Sequence, residues 1–200
     1  MMQTTHALAG MALTVPFALL APELAPLLLV AGLVGGAFPD LDLYRGHRRV
    51  LHFPVYYSIA AVLAGVAAVL TATVWVIVAA MALSAAALHC VMDAFGGGLE
   101  LRPWEGTSDR AVYDHARGRW IAPRRWIRYD GSPEDLAVAG AAAIPVLFVA
   151  EGWLRTFTLA MLGVSVVYVA LRRRLPDIAT AIVARLPARI SDLVPRRFFE

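Results

Sequence analysis

"GGAFPDLDLYRGHRRVLH", residues 35–52, separates two long apolar stretches and concentrates two aspartates, two histidines and three arginines in the gap. A plain connection between helices needs none of these groups. The stretch therefore raises two questions: what its flanks are, and what its polar residues do. The flanks are answered by composition. The chain is 60% hydrophobic and 16% charged, with a mean hydropathy of +0.65, well beyond the usual range of soluble domains. It reads as a multi-pass protein of the cell membrane. Most of its 200 residues must then face lipid or a neighbouring helix, which leaves no room for a large separate globular domain.

Outward from this stretch, apolar segments fall at 4–20, 23–38, 54–73, 74–93, 136–150 and 153–171. Spanning a bilayer takes roughly 20 residues, so the third, fourth and sixth are long enough, while the other three must tilt or thin the membrane locally. The turns "APELAP", "TATVW" and "EGWLRTF" are brief enough to join only antiparallel neighbours. The expected fold is all-α, a polytopic bundle of about six helices in three hairpins. It forms a single transmembrane domain over 1–175, with a loop inserted at 94–135 and an amphipathic tail over 176–200.

Within the loop, "AVYDHARGRWIAPRRWIRYDG" (111–131) places β-branched and aromatic residues on both sides of "HARG", which predicts a small β-hairpin. Asp114 and His115 read as solvated loop residues. "SPED" (132–135) sets Ser132 as N-cap, Pro133 at the first helical position and Asp135 three residues on, a capping box that starts the fifth helix. The tail "LPDIATAIVARLPARISDLV" (175–194) spaces Asp177, Arg185, Arg189 and Asp192 at near-helical intervals. It reads as an interfacial segment broken at Pro187.

All 18 basic residues are arginine, and the net charge is +3. They cluster in the second and fourth connections and after Leu171; only Arg155 lies on the other side. The positive-inside rule then puts both termini in the cytoplasm. The opening segment has no basic residue before its apolar core and reads as retained rather than as a cleaved leader. The lone Cys90 reads as a small packing residue. No basic helix carries base-reading side chains, so no direct nucleic-acid binding is expected.

The histidines and aspartates share this asymmetry. His6 opens the first helix, Asp40 and Asp42 close the second, His47 and His52 precede the third, and His89 and Asp93 close the fourth. All seven fall on the cytoplasmic side, whereas the outer turns hold only Glu23 and Glu151. His89 and Asp93 are four apart on one helix, with Cβ atoms about 6 Å apart. Imidazole nitrogen with carboxylate oxygen suits zinc first, then manganese or iron, as one or two divalent ions. Each residue alone has a plainer reading: a helix-end His at the interface, "PDLD" as a helix stop, His47 and His52 among arginines touching lipid headgroups. It is their convergence that makes a site.

"TTHALAG" from Thr4, "GAFPDLD" from Gly36, "HRRVLH" from His47 and "LHCVMD" from Leu88 resemble the family of membrane-bound metal-dependent hydrolases, also described as LexA-binding and inner-membrane-associated. The resemblance covers about the first half of the chain. It implies metal ligands at His6, Asp40, Asp42, His47, His52, His89 and Asp93. Where the family reads His-Arg-Gly-x-Thr-His-Ser, this chain has Arg49, Leu51 and Phe53 in place of glycine, threonine and serine.

The expected chemistry is hydrolysis by metal-activated water at the cytoplasmic membrane surface, with Asp93, His52 and Arg48 as catalytic residues. Arg48, Arg49, Arg124 and Arg125 are the candidate clamps for a phosphate, which points to a phosphoester or lipid headgroup as substrate. Topology and anionic lipid offer a plainer reason for the same arginines. The rival class is a non-catalytic metal-binding membrane protein that recruits a cytoplasmic protein partner. A metal transporter is disfavoured, because nothing charged lines the middle of the helices.

Overall fold

The structure is a computed structural model that describes residues 1–44, 46–191 and 194. Six helices of 13 to 22 residues form the body: α1 (Gln3–Leu20), α2 (Ala25–Ala37), α3 (Pro54–Thr71), α4 (Val74–Phe95), α5 (Pro133–Val149) and α6 (Gly152–Leu171). α1 packs on α2, α4 and α5; α2 packs on α4, α3 on α4, and α5 on α6.

Four stretches are long and apolar enough to cross a membrane: Pro22–Asp42, Pro54–Thr71, Val74–Phe95 and Gly152–Leu171. The second apolar segment, short by sequence, gains its length from 3-10 turns at Pro22–Leu24 and Phe38–Asp42 on either side of α2. α1 and α5 are not among the four. They supply the buried centre instead, through Leu8, Met11 and Val15 against Ala139, Ala143 and Val146. α3 buries no residue, and its Ile59, Leu63, Val66 and Leu70 stand exposed, as lipid-facing side chains do.

Small residues bring α1 and α2 together. Gly10 and Gly32 face one another with no space for a Cβ on either, and Gly36 lies as close to the His6 backbone. Such contact gains packing energy where the hydrophobic effect is absent, in the way small-residue motifs join membrane helices. It also sets His6 beside the C-terminal end of α2.

The loop contains the expected hairpin, β1 (Val112–Asp114) antiparallel to β2 (Arg119–Ile121), with Asp114 paired to Arg119 across the "HARG" turn. Asp114 is not solvated: it is 1% exposed. Its Oδ1 accepts from the backbone N–H of Ala116 and Arg117, and its Oδ2 from the Arg117 guanidinium, contacts that hold its carboxyl below the usual carboxylate range although burial opposes this. His115 is likewise engaged, with Nε2 2.6 Å from the Arg49 carbonyl. The hairpin is docked on the 47–52 segment, since Tyr113 N–H also donates to the Arg48 carbonyl.

Ser132 caps α5 by accepting from Asp135 N–H, with Pro133 at the first turn. The reciprocal half of the expected box is redirected. Asp135, fully buried, accepts from the N–H groups of Gly131 (2.9 Å) and Met2 (2.7 Å) and from the Thr5 hydroxyl (2.7 Å). One carboxylate therefore fastens the start of α1 to the start of α5.

After α6, Arg172 donates twice to Asp130, and Tyr168 O–H donates to the same carboxylate. α7 (Leu175–Val183) follows, tied to the loop by Arg102 and Asp177 at 2.8 Å. Pro187 separates it from the short α8 (Ala188–Ser191). Residues 192, 193 and 195–200 of the expected tail, with Asp192 among them, lie outside the described residues, as does Arg45.

Asp135→Ala leaves three buried donors unpaired at about 1–3 kcal/mol each. The melting temperature in detergent should fall by roughly 10 °C. An unchanged melting temperature would contradict the anchoring role.

Candidate metal centre

The centre is built where the C-terminal ends of α2 and α4, the start of α1 and the 47–52 segment meet. Asp40, His52, His89 and Asp93 each offer one ligand atom, and all four atoms lie within 4.8 Å of one another. His52 Nε2 and His89 Nε2 face each other at 3.1 Å. Asp93 Oδ2 stands 3.3 and 3.4 Å from them, and Asp40 Oδ1 3.7 and 3.4 Å.

The other ring nitrogens decide what this geometry means. His52 Nδ1 lies 3.0 Å from Asp42 Oδ2, which can only accept, so that nitrogen carries the proton. His89 Nδ1 lies 2.7 Å from the Gly36 carbonyl and donates to it. In both neutral rings the lone pair is therefore on Nε2, and two lone pairs and two carboxylates point at one spot. Such a set needs a cation: a metal ion between them, or protons on the rings. Without metal the protons answer. Burial opposes charge on His52, but Asp40, Asp42 and Asp93 outweigh it and push its pKa up to about 10. The set of two imidazoles and two carboxylates could hold a metal ion.

The remaining expected ligands surround this core. His6 Nε2 donates to Asp93 Oδ1 at 3.1 Å, and its ring stacks on His89 with centroids 3.7 Å apart; it positions both. Asp42 accepts from His47 Nδ1 (3.1 Å), His52 Nδ1 and the N–H groups of Arg48, Arg49 and Leu51. Five donors exceed the roughly four lone-pair sites of a carboxylate, so Asp42 orients the histidines rather than reaching the ion. His47, about a quarter exposed, also approaches Asp40 at 3.9 Å.

Arg48 is held at φ 60, a left-handed conformation. Asp42 fixes its N–H, and its guanidinium donates to the Gly97 carbonyl at 2.8 Å and pairs with Asp93 Oδ1 at 3.4 Å. Strain of this kind persists where surrounding contacts over-determine the backbone. A cavity of about 600 Å³ opens beside the centre, its lining including His47, Arg48, Arg49, Tyr168, Arg172 and Leu175. Arg124 and Arg125 do not line it. Arg125 instead donates to the carbonyls of Gly106 and Ser108, and Arg124 lies over the Phe95 ring. The loop turns away there because its backbone bonds to the end of α4.

Sequence reasoning did not identify the Gly36 carbonyl, whose signal is the glycine pair that lets α2 approach α1 and α4. It also passed over Glu100, a cavity carboxylate with no sequence signal of its own.

His89→Ala and Asp93→Ala should each abolish binding of one divalent ion per chain, and Asp42→Asn should weaken it about 10- to 100-fold, read by metal titration of stripped protein. The metal-free protein should also lose stability as pH rises. A group whose pKa rises on folding from 6.5 to about 10 contributes fully below 6.5 and no longer above 10; His52→Gln should flatten that decline in melting temperature. Comparison with known protein families, with curated proteins and with solved structures finds no match to this chain.

Proposed function

We propose that the chain is a multi-pass membrane hydrolase that uses a divalent metal, zinc first and manganese or iron next, to cleave phosphoesters at the cytoplasmic membrane surface. The convergence of two imidazole lone pairs and two carboxylates beside an arginine-bearing cavity is the observation that carries this reading. The ordered motifs around His6, Asp40, His47 and Asp93, which resemble those of membrane-bound metal-dependent hydrolases, support it, as does the arginine distribution that keeps this end inside.

Asp40, His52, His89 and Asp93 hold the ion. When bound, it lowers the pKa of water to about 7 and offsets negative charge at the attacked phosphorus. Arg49 carries its guanidinium 4.6 Å over the Tyr113 ring and has no carboxylate partner among the described residues. It binds the phosphate. Arg48 steadies Asp93. His47 donates through Nδ1 to Asp42, which leaves Nε2 as a base at the cavity. It takes a proton from the attacking water as the new P–O bond forms, and returns it to the departing alkoxide as the old P–O bond breaks. The products are a phosphomonoester and an alcohol.

Four protein ligands also match a closed structural site. This favours the non-catalytic reading, in which the centre only braces a surface for a cytoplasmic protein partner.

The test is turnover of bis-p-nitrophenyl phosphate by the purified, metal-loaded protein. Chelation and Asp93→Ala should abolish it. His47→Gln should lower kcat about 100-fold at unchanged metal content, and Arg49→Ala should raise KM about 10-fold. Turnover indifferent to both chelation and Asp93→Ala would reject the hydrolase.

A further inference from the structure

A second hollow, of about 410 Å³, runs along the exposed side of α6 and is lined by Ala160, Gly163, Val164, Val167 and Leu171 with Tyr168 and Leu175. Tyr168 and Leu175 also wall the cavity beside the metal centre. The two hollows therefore adjoin, with those side chains as their common wall. One is apolar and lies on a helix able to span the bilayer; the other carries the charged side chains of Arg49, Glu100, Asp130 and Arg172 and lies by the Arg172 end of that helix. This polarity order is that of a lipid, with the chain beside α6 and the headgroup beside the metal centre.

The headgroup end carries both signs of charge. Arg49 is without a carboxylate partner there, as noted above. Glu100 lines the same cavity, and both of its carboxylate oxygens are buried without a hydrogen-bond partner among the described residues. A buried carboxylate left unpaired is costly, and a cation relieves the cost. Asp130, the other acid in the cavity, is already taken by Arg172 and Tyr168.

We propose that cavity and groove together bind a zwitterionic phospholipid, with its phosphate on Arg49, its ammonium on Glu100 and an acyl chain in the α6 groove. The placement of the phosphate beside the ion rests on the hydrolase reading; the binding itself does not. Gly163 supplies the probe for the groove, because a Cβ there would meet nothing within 4 Å. A side chain begun at this position therefore starts in open space.

The experiment titrates the full-length protein in detergent with phosphatidylethanolamine or phosphatidylglycerol carrying a fluorescent acyl chain, and reads anisotropy. The ethanolamine lipid should bind about 10-fold tighter than the glycerol lipid, and Glu100→Gln should erase that preference. Gly163→Phe should weaken both lipids about 10-fold while bound metal per chain stays constant. Val164→Trp fills the same groove and replaces Gly163→Phe if that variant does not fold. Equal binding of the two headgroups, or binding indifferent to the groove variants, overturns the proposal even if the protein hydrolyses bis-p-nitrophenyl phosphate. Selective, groove-dependent binding without any hydrolysis upholds it and removes the hydrolase reading instead.

Discussion

Two imidazole nitrogens that face each other at 3.1 Å, with a carboxylate oxygen on either side, form the constraint on which the rest of this structure depends. Left without a cation the arrangement is repulsive, and inside a bundle there is little water to screen it. The chain therefore fixes each ring from behind. His52 is held by Asp42, His89 by the Gly36 carbonyl, and Asp93 by His6 and Arg48. These supports come from α1, from the Pro22–Asp42 stretch and from the 47–52 segment, so the site exists only if all three are in register with α4.

That requirement accounts for the division of labour among the helices. The apolar helices α3, α4 and α6, each able to span a membrane, carry the exposed hydrophobic surface, whereas α1 and α5 fill the centre. A helix placed inside the bundle can carry polar anchors that lipid would penalise. Thr5, His6 and Asp135 are such anchors, and all are fully or almost fully buried. Close approach at Gly32 and Gly36 then converts the anchored start of α1 into a fixed position for His6.

Much of this was legible in the sequence because the signals were local or periodic. The apolar segments, the "HARG" hairpin, the Ser132 cap and the break at Pro187 each follow from neighbours along the chain. So does the pairing of His89 with Asp93, four residues apart on one helix face. What escaped depends on contacts distant in sequence. Asp114 looked solvated because two of its three donors are the turn N–H groups of Ala116 and Arg117, which no side-chain pattern announces. Asp135 looked like a capping residue, but the Met2 N–H and Thr5 hydroxyl compete for it from the far end of the chain. Arg124 and Arg125 looked able to reach the phosphate; the backbone bonds that return the loop to Ala94 and Gly96 direct them elsewhere.

The aspartates of "PDLD" show how one such distinction is made. They are two residues apart, and sequence treats them alike. Their backbone is a 3-10 turn with three residues per turn, which sends residues i and i+2 to different faces. Asp42 thereby turns toward the 47–52 segment and is saturated by its five donors, while Asp40 turns toward His52 and His89 and keeps its charge for what lies between them. A helix that continued unchanged past Ala37 would space the two by about 200° instead of about 240°, and with a rise of about 1.5 instead of about 2.0 Å per residue. The proline at position 39 stands in the first turn of this short segment, where its missing N–H costs no hydrogen bond, and so permits the change of winding on which both roles rest.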